Sequence, residues 1–301
     1  MRTRPEHRAG VADVDRSDVV ALVTGATSGV GRETALALGR LGASVIAHGR
    51  SPEKMADLER ALEATDAAGV RTVKADFLDL DAVRDLAESV RGTEERLDVL
   101  VNNAGTYFPA GGLTPDGVER TIVVNHLAPF VLTHRLRGLL EAARGRVVTT
   151  SSDVHRRDSF DLAALTSIDD YDGLEAYGCS KFANVLFTKA LARRLDDATA
   201  NCFHPGFIPG SGLYRDASLR VRLLMGLLEA VPKRLTGGFV STAADGAATA
   251  VYLAVSDDVA DETGAYFDDL ERVDPAPATR DESRQEDLWE WSEETTDETW
   301  E

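Results

Sequence analysis

The sequence predicts an α/β chain folded as a single domain around one doubly wound parallel sheet, and three observations carry that prediction. Short runs of β-branched and aliphatic residues alternate strictly with longer stretches of helical periodicity. The short runs are apolar at nearly every position rather than at every second one, the mark of strands covered on both faces. A glycine-rich turn stands directly between the first strand and the first helix of the series, where such sheets cradle phosphate.

Taken in order, Val19 to Val23 (VVALV) reads as a buried strand that ends in Thr24-Gly25, and a helix follows from Gly29 to Leu41, stopped by Gly42. Ala43 to His48 is the second strand and Pro52 to Ala68 the second helix; Val70 to Ala75 and Asp79 to Val90 repeat the pair. Leu97 to Val101 is the fourth strand, and one long helix is expected from Gly117 to Ala143. Gly145 to Ser151 forms the fifth strand, Leu174 to Leu195 a helix, and Ala200 to His204 the sixth strand. Right-handed crossovers between parallel strands then wind helices onto both faces. Residues 1–17, charged and without an apolar stretch, read as a disordered leader. Residues 18–270 read as the main folded body, and residues 271–301 as an acidic tail in which DLWEWSEE has the makings of one docked helical turn.

Composition narrows the partners. Fifty-one carboxylates face 33 basic residues for a net charge of -18, which repels nucleic acid instead of releasing its counterions. Only five residues are lysine (Lys54, Lys74, Lys181, Lys189, Lys233), and acidic excess with arginine in place of lysine suits proteins from salt-loving microbes. No apolar run has the length of about 20 residues that spans a bilayer. Cys179 and Cys202 offer neither a disulfide framework nor zinc spacing, which fits a cytoplasmic location.

The turn TGATSGVGRETA, residues 24 to 35, is the first chemical signal. Gly25 permits a tight turn, Gly29 admits a pyrophosphate to the backbone, and Gly31 lets the helix begin close to the strand, so that its free N–H groups meet phosphate. Thr27, Ser28 and Val30 complete this Rossmann-type cradle. At the tip of the second strand, where an acid would grip a ribose 2′-hydroxyl, stands Gly49-Arg50-Ser51. The Arg50 guanidinium suits a 2′-phosphate, so NADP(H) is expected over NAD(H).

The second signal is Tyr177-Gly178-Cys179-Ser180-Lys181, a phenol and an ammonium four residues apart on one helix face. A phenol, with an ordinary pKa of about 10, is a poor acid or base at neutral pH, and a neighbouring cation brings it into range. By itself the pair says little, since helices carry it by chance. Its place in the chain is informative: it follows Asn125 in the preceding helix and Ser151-Ser152 at the end of the fifth strand.

The G-x-x-x-G-x-G turn, Asn102-Asn103-Ala104-Gly105, this ordered set of Asn125, Ser152, Tyr177 and Lys181, and His204-Pro205-Gly206-Phe207-Ile208 together resemble the short-chain dehydrogenase/reductase family over residues 18 to 270. The resemblance implies that Tyr177 exchanges a proton with the substrate oxygen while Ser152 hydrogen-bonds it. Lys181 then holds the nicotinamide ribose and tunes Tyr177, and Asn125 holds a water that relays protons to Lys181. It further implies that Asp76 meets the adenine, though Asp76 and Asp79 serve equally well as a helix cap. Asn102, Ala104 and Gly105 would flank the adenine ribose and brace the sheet, and Pro205, Gly206 and Ile208 would line the nicotinamide. The family usually carries a threonine where Gly210 stands, leaving Ser211 as the substitute.

YGCSKFANVLFT, the gap of 24 residues between Ser152 and Tyr177, and the terminal LWEWSEE resemble the retinol dehydrogenase-like branch. GFIPGSGLYRDASLRVRLL resembles light-dependent protochlorophyllide reductases as well. Both point to a small lipophilic carbonyl or alcohol as substrate, and a homodimer is compatible with the resemblance. Residues 210–236, with LLMGLL bracketed by Arg220, Arg222, Lys233 and Arg234, read as a substrate lid, with membrane docking and plain packing as competitors. Double-bond reduction of a tetrapyrrole and a non-catalytic NADP(H) sensor remain the rival functions.

Overall fold

A computed structural model describes residues 3–157, 160–209 and 240–300. The expected lid at 210–236, and with it Gly210 and Ser211, lies outside the described residues.

Eight strands form one sheet in the order β3-β2-β1-β4-β5-β6-β7-β8. Six are β1 (Val20–Val23), β2 (Ser44–Gly49), β3 (Gly69–Lys74), β4 (Val99–Asn102), β5 (Arg146–Thr150) and β6 (Thr199–His204), all parallel. Two more have no counterpart among the strands expected from the sequence: β7 (Tyr266–Asp268), parallel to β6, and β8 (Glu271–Val273), antiparallel to β7. At three residues each they are too short to show a period. Their turn, Asp269 and Leu270, has positive φ at both residues, the hairpin geometry that matches strand twist.

The strand sequences are apolar throughout because alternate residues feed two cores. Ala21, Val23, Val45, Ala47, Val99 and Val101 face one core, while Leu22, Ile46 and Leu100 face the other. The first core is closed by α2 (Gly29–Arg40), α3 (Pro52–Glu63) and α8 (Ala243–Val255). The second is closed by α4 (Leu80–Arg91), α6 (Ala128–Ala143) and α7 (Gly173–Arg194). The order reverses direction between β1 and β4, and a crevice beyond the carboxyl ends at such a switch point is where these sheets bind ligands.

The long helix expected from Gly117 starts later and is interrupted. Glu119 caps it, accepting from the amides of Thr121 at 2.7 Å and Ile122 at 3.0 Å, and opens the short α5 (Arg120–Ile122). A π turn, Val123–Leu127, joins α5 to α6. Pro129 lacks the N–H that would close onto the Asn125 carbonyl in a regular helix, so the ladder widens there. The turn so produced carries Asn125.

Both ends depart from expectation. The leader is not disordered over its described part: Pro5–Arg8 forms α1, and Ala9 and Val11 are buried in the first core. Its charges are satisfied by the body. Glu6 takes a bidentate pair from Arg40 at 2.6 and 2.8 Å, Arg8 pairs with Asp245 and Asp269, and Arg16 donates to the Val255 carbonyl at 2.6 Å. The acidic tail holds more than the one docked turn expected of DLWEWSEE. Glu282–Thr296 is a helix, α9, that buries Gln285, Leu288, Trp289, Ser292 and Thr296. Those positions recur at helical spacing, but three of the five are polar, which hides the stripe from a hydrophobic reading.

Candidate active site

The glycine turn is built as the nucleotide reading requires. Gly25 and Gly29 have φ of +62° and +57°, where side chains are disfavoured. A Cβ on Gly31 would stand 2.3 Å from Asn103 Nδ2, so only glycine lets α2 begin this close to β4. Ser28, the N-cap of α2, makes no side-chain hydrogen bond to the first-turn amides. The helix therefore offers N–H groups and a positive dipole end to an anion, which fits a dinucleotide pyrophosphate.

Three side chains that sequence reasoning missed hold this turn. Asn103 Nδ2 donates to the Thr24 carbonyl at 2.9 Å, and Thr24 Oγ1 accepts from the amides of Asn103 and Ala104, each at 2.9 Å. His48 Nδ1 accepts from the Gly25 amide at 3.2 Å while its Nε2 meets the Ala75 carbonyl at 3.1 Å. Its ring stacks on Phe77 at 4.3 Å, and burial pushes its pKa down to about 4, so it stays neutral and keeps accepting. A histidine ending an apolar strand is the only signal of this role in the sequence.

Asn102, expected beside the ribose, turns its side chain away: it is 2% exposed and donates to Thr133 Oγ1 of α6 at 3.0 Å. Its neighbour Asn103 faces the turn because successive strand residues point to opposite faces. Arg50 and Asp76 lie together at the ends of β2 and β3, 3.6 Å apart and each about half exposed. Asp76 also accepts from the Leu78 amide at 3.2 Å, whereas the cap of α4 is Asp79.

The second cluster gathers around α7. Asn125 is fully buried; its Oδ1 accepts from the Thr106 amide at 2.7 Å, and its Nδ2 donates to the Thr106 carbonyl and to Ser180 Oγ, both at 2.9 Å. Lys181 is 3% exposed and donates from Nζ to the Thr150 carbonyl at 2.9 Å; burial pushes its pKa down to about 8. Gly105 lies against this pair: a Cβ on it would stand 3.4 Å from Asn125 Oδ1 and 3.5 Å from Lys181 Nζ. Tyr177 is half-buried, its ring 5.7 Å from Lys181 Nζ and edge-on to Tyr107 at 6.4 Å.

The two serines separate cleanly. Ser151 is buried with its hydroxyl committed to the Lys181 carbonyl at 2.9 Å. Ser152 is half-buried, and among the described residues its Oγ accepts only a long 3.5 Å contact from the Val154 amide, with no acceptor there for its proton. Pro205 and Gly206 close this end of the sheet after β6, with Gly206 at φ +82°, and Ile208 is nearly buried. Thr27 and Val30 flank the glycine turn, and a Cβ on Gly49 would meet Thr27 Cγ2 at 2.4 Å, so β2 and the turn are in close contact.

A doubly wound sheet with a phosphate-binding turn at one side of its switch point, and a tyrosine over a buried lysine at the other, defines a dinucleotide-dependent oxidoreductase class. Comparison with known proteins makes this specific. Residues 19–217 match the family model for short chain dehydrogenases, and the chain belongs to that family. It is 37% identical over 287 residues to mouse retinol dehydrogenase 14, covering 90% of this chain and 84% of that protein. Human retinol dehydrogenase 12 is 35% identical over 286 residues, with 94% and 87% covered. The similarity therefore runs to the retinol dehydrogenase-like branch, whose members act on alcohol and carbonyl groups, and the chain is an oxidoreductase of that kind. Among solved structures, the Pseudomonas aeruginosa RhlG/NADP active-site complex superposes with a TM-score of 0.66 at 25% identity, covering 84% of this chain and 95% of that one. Among the described residues no helix is long and apolar enough to cross a membrane.

Proposed function

We propose that this chain is an NADP(H)-dependent reductase or dehydrogenase that interconverts a carbonyl and an alcohol on a small lipophilic substrate. The observation that carries it is the gathering of Asn125, Tyr177 and Lys181 around α7, with Ser152 just beyond β5, across the switch point from the glycine turn. A bound nicotinamide dinucleotide supplies or accepts the hydride. In reduction, Tyr177 gives its proton to the carbonyl oxygen, and the Ser152 hydroxyl donates a hydrogen bond to the same oxygen as charge develops there. Lys181, an ammonium in a dry site, favours the phenolate that Tyr177 becomes. Asn125 holds Thr106 and Ser180 in place and, as the family resemblance implies, would hold a water that relays protons to Lys181. Leu113, Ile168 and Leu174 are exposed apolar residues, and Leu174 lies one helical turn before Tyr177. Relatives whose names specify retinol support a lipophilic substrate. A homodimer and a cytoplasmic location belong to the same reading.

For the cofactor, Arg50 at the tip of β2 supports NADP(H), with Asp76 as the resting partner that a 2′-phosphate would displace. That exposed pair is worth at most about 1 kcal/mol, so it does not cancel a charge-assisted phosphate contact worth about 1.5 to 3 kcal/mol. The wild type is expected to oxidise NADPH in the presence of lipophilic aldehydes or ketones and to bind NADPH more tightly than NADH. Arg50→Asp should lose roughly 10- to 150-fold in NADPH affinity. Titration of both cofactors against both proteins checks this, and a wild type that prefers NADH refutes it.

The net charge of -18 supports a salt-adapted protein. Self-repulsion destabilises the compact state, and the screening length falls from about 30 Å at 0.01 M to about 3 Å at 1 M salt. Salt also weakens the exposed ion pairs, but these contribute little individually. The Tm is therefore expected to rise between about 0.05 M and about 2 M KCl. A thermal scan in which it stays flat or falls removes the salt-adapted reading.

A further inference from the structure

One peptide unit, the one joining Ser152 to Asp153, is gripped on both sides by an imidazole. Its carbonyl accepts from His155 Nδ1 at 2.6 Å, and its N–H, that of Asp153, donates to His204 Nδ1 at 3.3 Å. The tautomers follow from the remaining partners. His155 Nε2 accepts from the Ala276 amide at 3.0 Å, so its proton sits on Nδ1. His204 accepts through Nδ1, so its proton sits on Nε2. One ring reaches the peptide from the turn just beyond Ser152, the other from the end of β6.

We propose that His155 and His204 are positioning residues that clamp the peptide after Ser152 and thereby aim its hydroxyl, and that the clamp holds only while His204 is neutral. The proposal rests on the reading of Ser152 as the residue that binds the substrate oxygen. On the other side of Ser152 the chain is already tied down, because Ser151 Oγ donates to the Lys181 carbonyl at 2.9 Å. Ser152 thus sits between two fixed peptides, with its own hydroxyl free to donate. Release of the far peptide would let its backbone rotate, and a displacement of even an ångström at such a site costs much of the rate.

The electrostatics favour the neutral ring. Burial is the largest influence on His204 and holds its pKa below the usual histidine range; Arg156 acts in the same direction, while Asp153 and Asp268 oppose it. Asp153 is itself engaged by Arg156 at 3.0 Å and by the Tyr266 hydroxyl at 3.3 Å, and burial raises the pKa of Asp268. His155, facing Arg156, Asp153 and His204, is also held low by burial. When His204 does take a proton, its Nδ1–H confronts the Asp153 N–H, two donors face to face, and the clamp opens. Turnover should therefore fall as pH drops through the His204 pKa, below the ordinary value of about 6.5.

His204→Leu and His204→Asn test this in the full-length protein. The asparagine Oδ1 accepts from nearly the position of Nδ1 and does not titrate. His204→Leu should lower kcat by about tenfold at every pH with NADPH affinity unchanged. His204→Asn should keep kcat within about threefold of wild type and flatten the acidic limb of its pH profile. A leucine variant with wild-type kcat, or an asparagine variant that retains the wild-type acidic limb, overturns the clamp. Ser152→Ala separates the two claims. If it keeps wild-type turnover, the role of Ser152 fails; if it loses turnover while His204→Leu does not, the clamp alone fails.

Discussion

Tyr177→Phe is expected to lower turnover by about two orders of magnitude or more while leaving NADPH binding near wild type. The substitution removes one oxygen and keeps the ring, so the edge-on contact with Tyr107 at 6.4 Å and the packing over Lys181 persist. What is lost is the only proton donor that the proposal places at the substrate oxygen. Ser152 still donates a hydrogen bond there, and the buried Lys181 is tied to the Thr150 carbonyl at 2.9 Å. Single-turnover NADPH oxidation, with cofactor affinity measured by fluorescence titration, separates the two quantities. Turnover within a few-fold of wild type would remove Tyr177 from the chemistry.

Trp289→Ala is expected to destabilise the fold by about 3 to 5 kcal/mol, lowering the Tm by on the order of 10 °C. Trp289 is 3% exposed although it lies in the most acidic part of the chain. Its ring stacks on Phe187 at 6.0 Å, meets Phe130 edge-on at 5.1 Å and Trp300 at 5.2 Å, and carries the Arg194 guanidinium 4.1 Å from its centre. Truncation leaves a cavity between α6, α7 and α9. Were the segment a solvated tail, the same substitution would fall within about 0.5 kcal/mol. Its position also touches function, because Ser292 on the same helix pairs with His126 at 2.8 Å, the residue after Asn125. A small Tm change would return this segment to the solvent.

Much of the site is legible in the sequence because its chemistry is local. Gly25, Gly29 and Gly31 are set by backbone sterics within one turn, and the Tyr177–Lys181 pair by the pitch of one helix. The choice of Ser152 over Ser151 is supported by the Lys181 carbonyl that Ser151 occupies. The π turn under Asn125 is not legible there, since Pro129 signals only a break and not its form. Nor are the supports supplied by His48, Asn103, His155 and His204, whose partners lie on other strands and loops.

By itself the sequence determined the class of fold, the alternation of β1 to β6 with their helices, and the residue types at the reacting centre. Periodicity, turn sterics and burial on both faces of a strand act over a few residues, so they are written locally. Only the tertiary structure decided what became of the ends and of the charges. The acidic tail became a packed helix because Trp289 finds an aromatic bed on α6 and α7, and because Ser292 pairs with His126 of the π turn at 2.8 Å. Residues 1–17 read as a disordered leader until Arg40, Asp245, Asp269 and Val255 supplied partners for Glu6, Arg8 and Arg16. A charge is solvated or buried according to what stands opposite it, and for these leader charges that neighbour is 34 to 261 residues away in the chain.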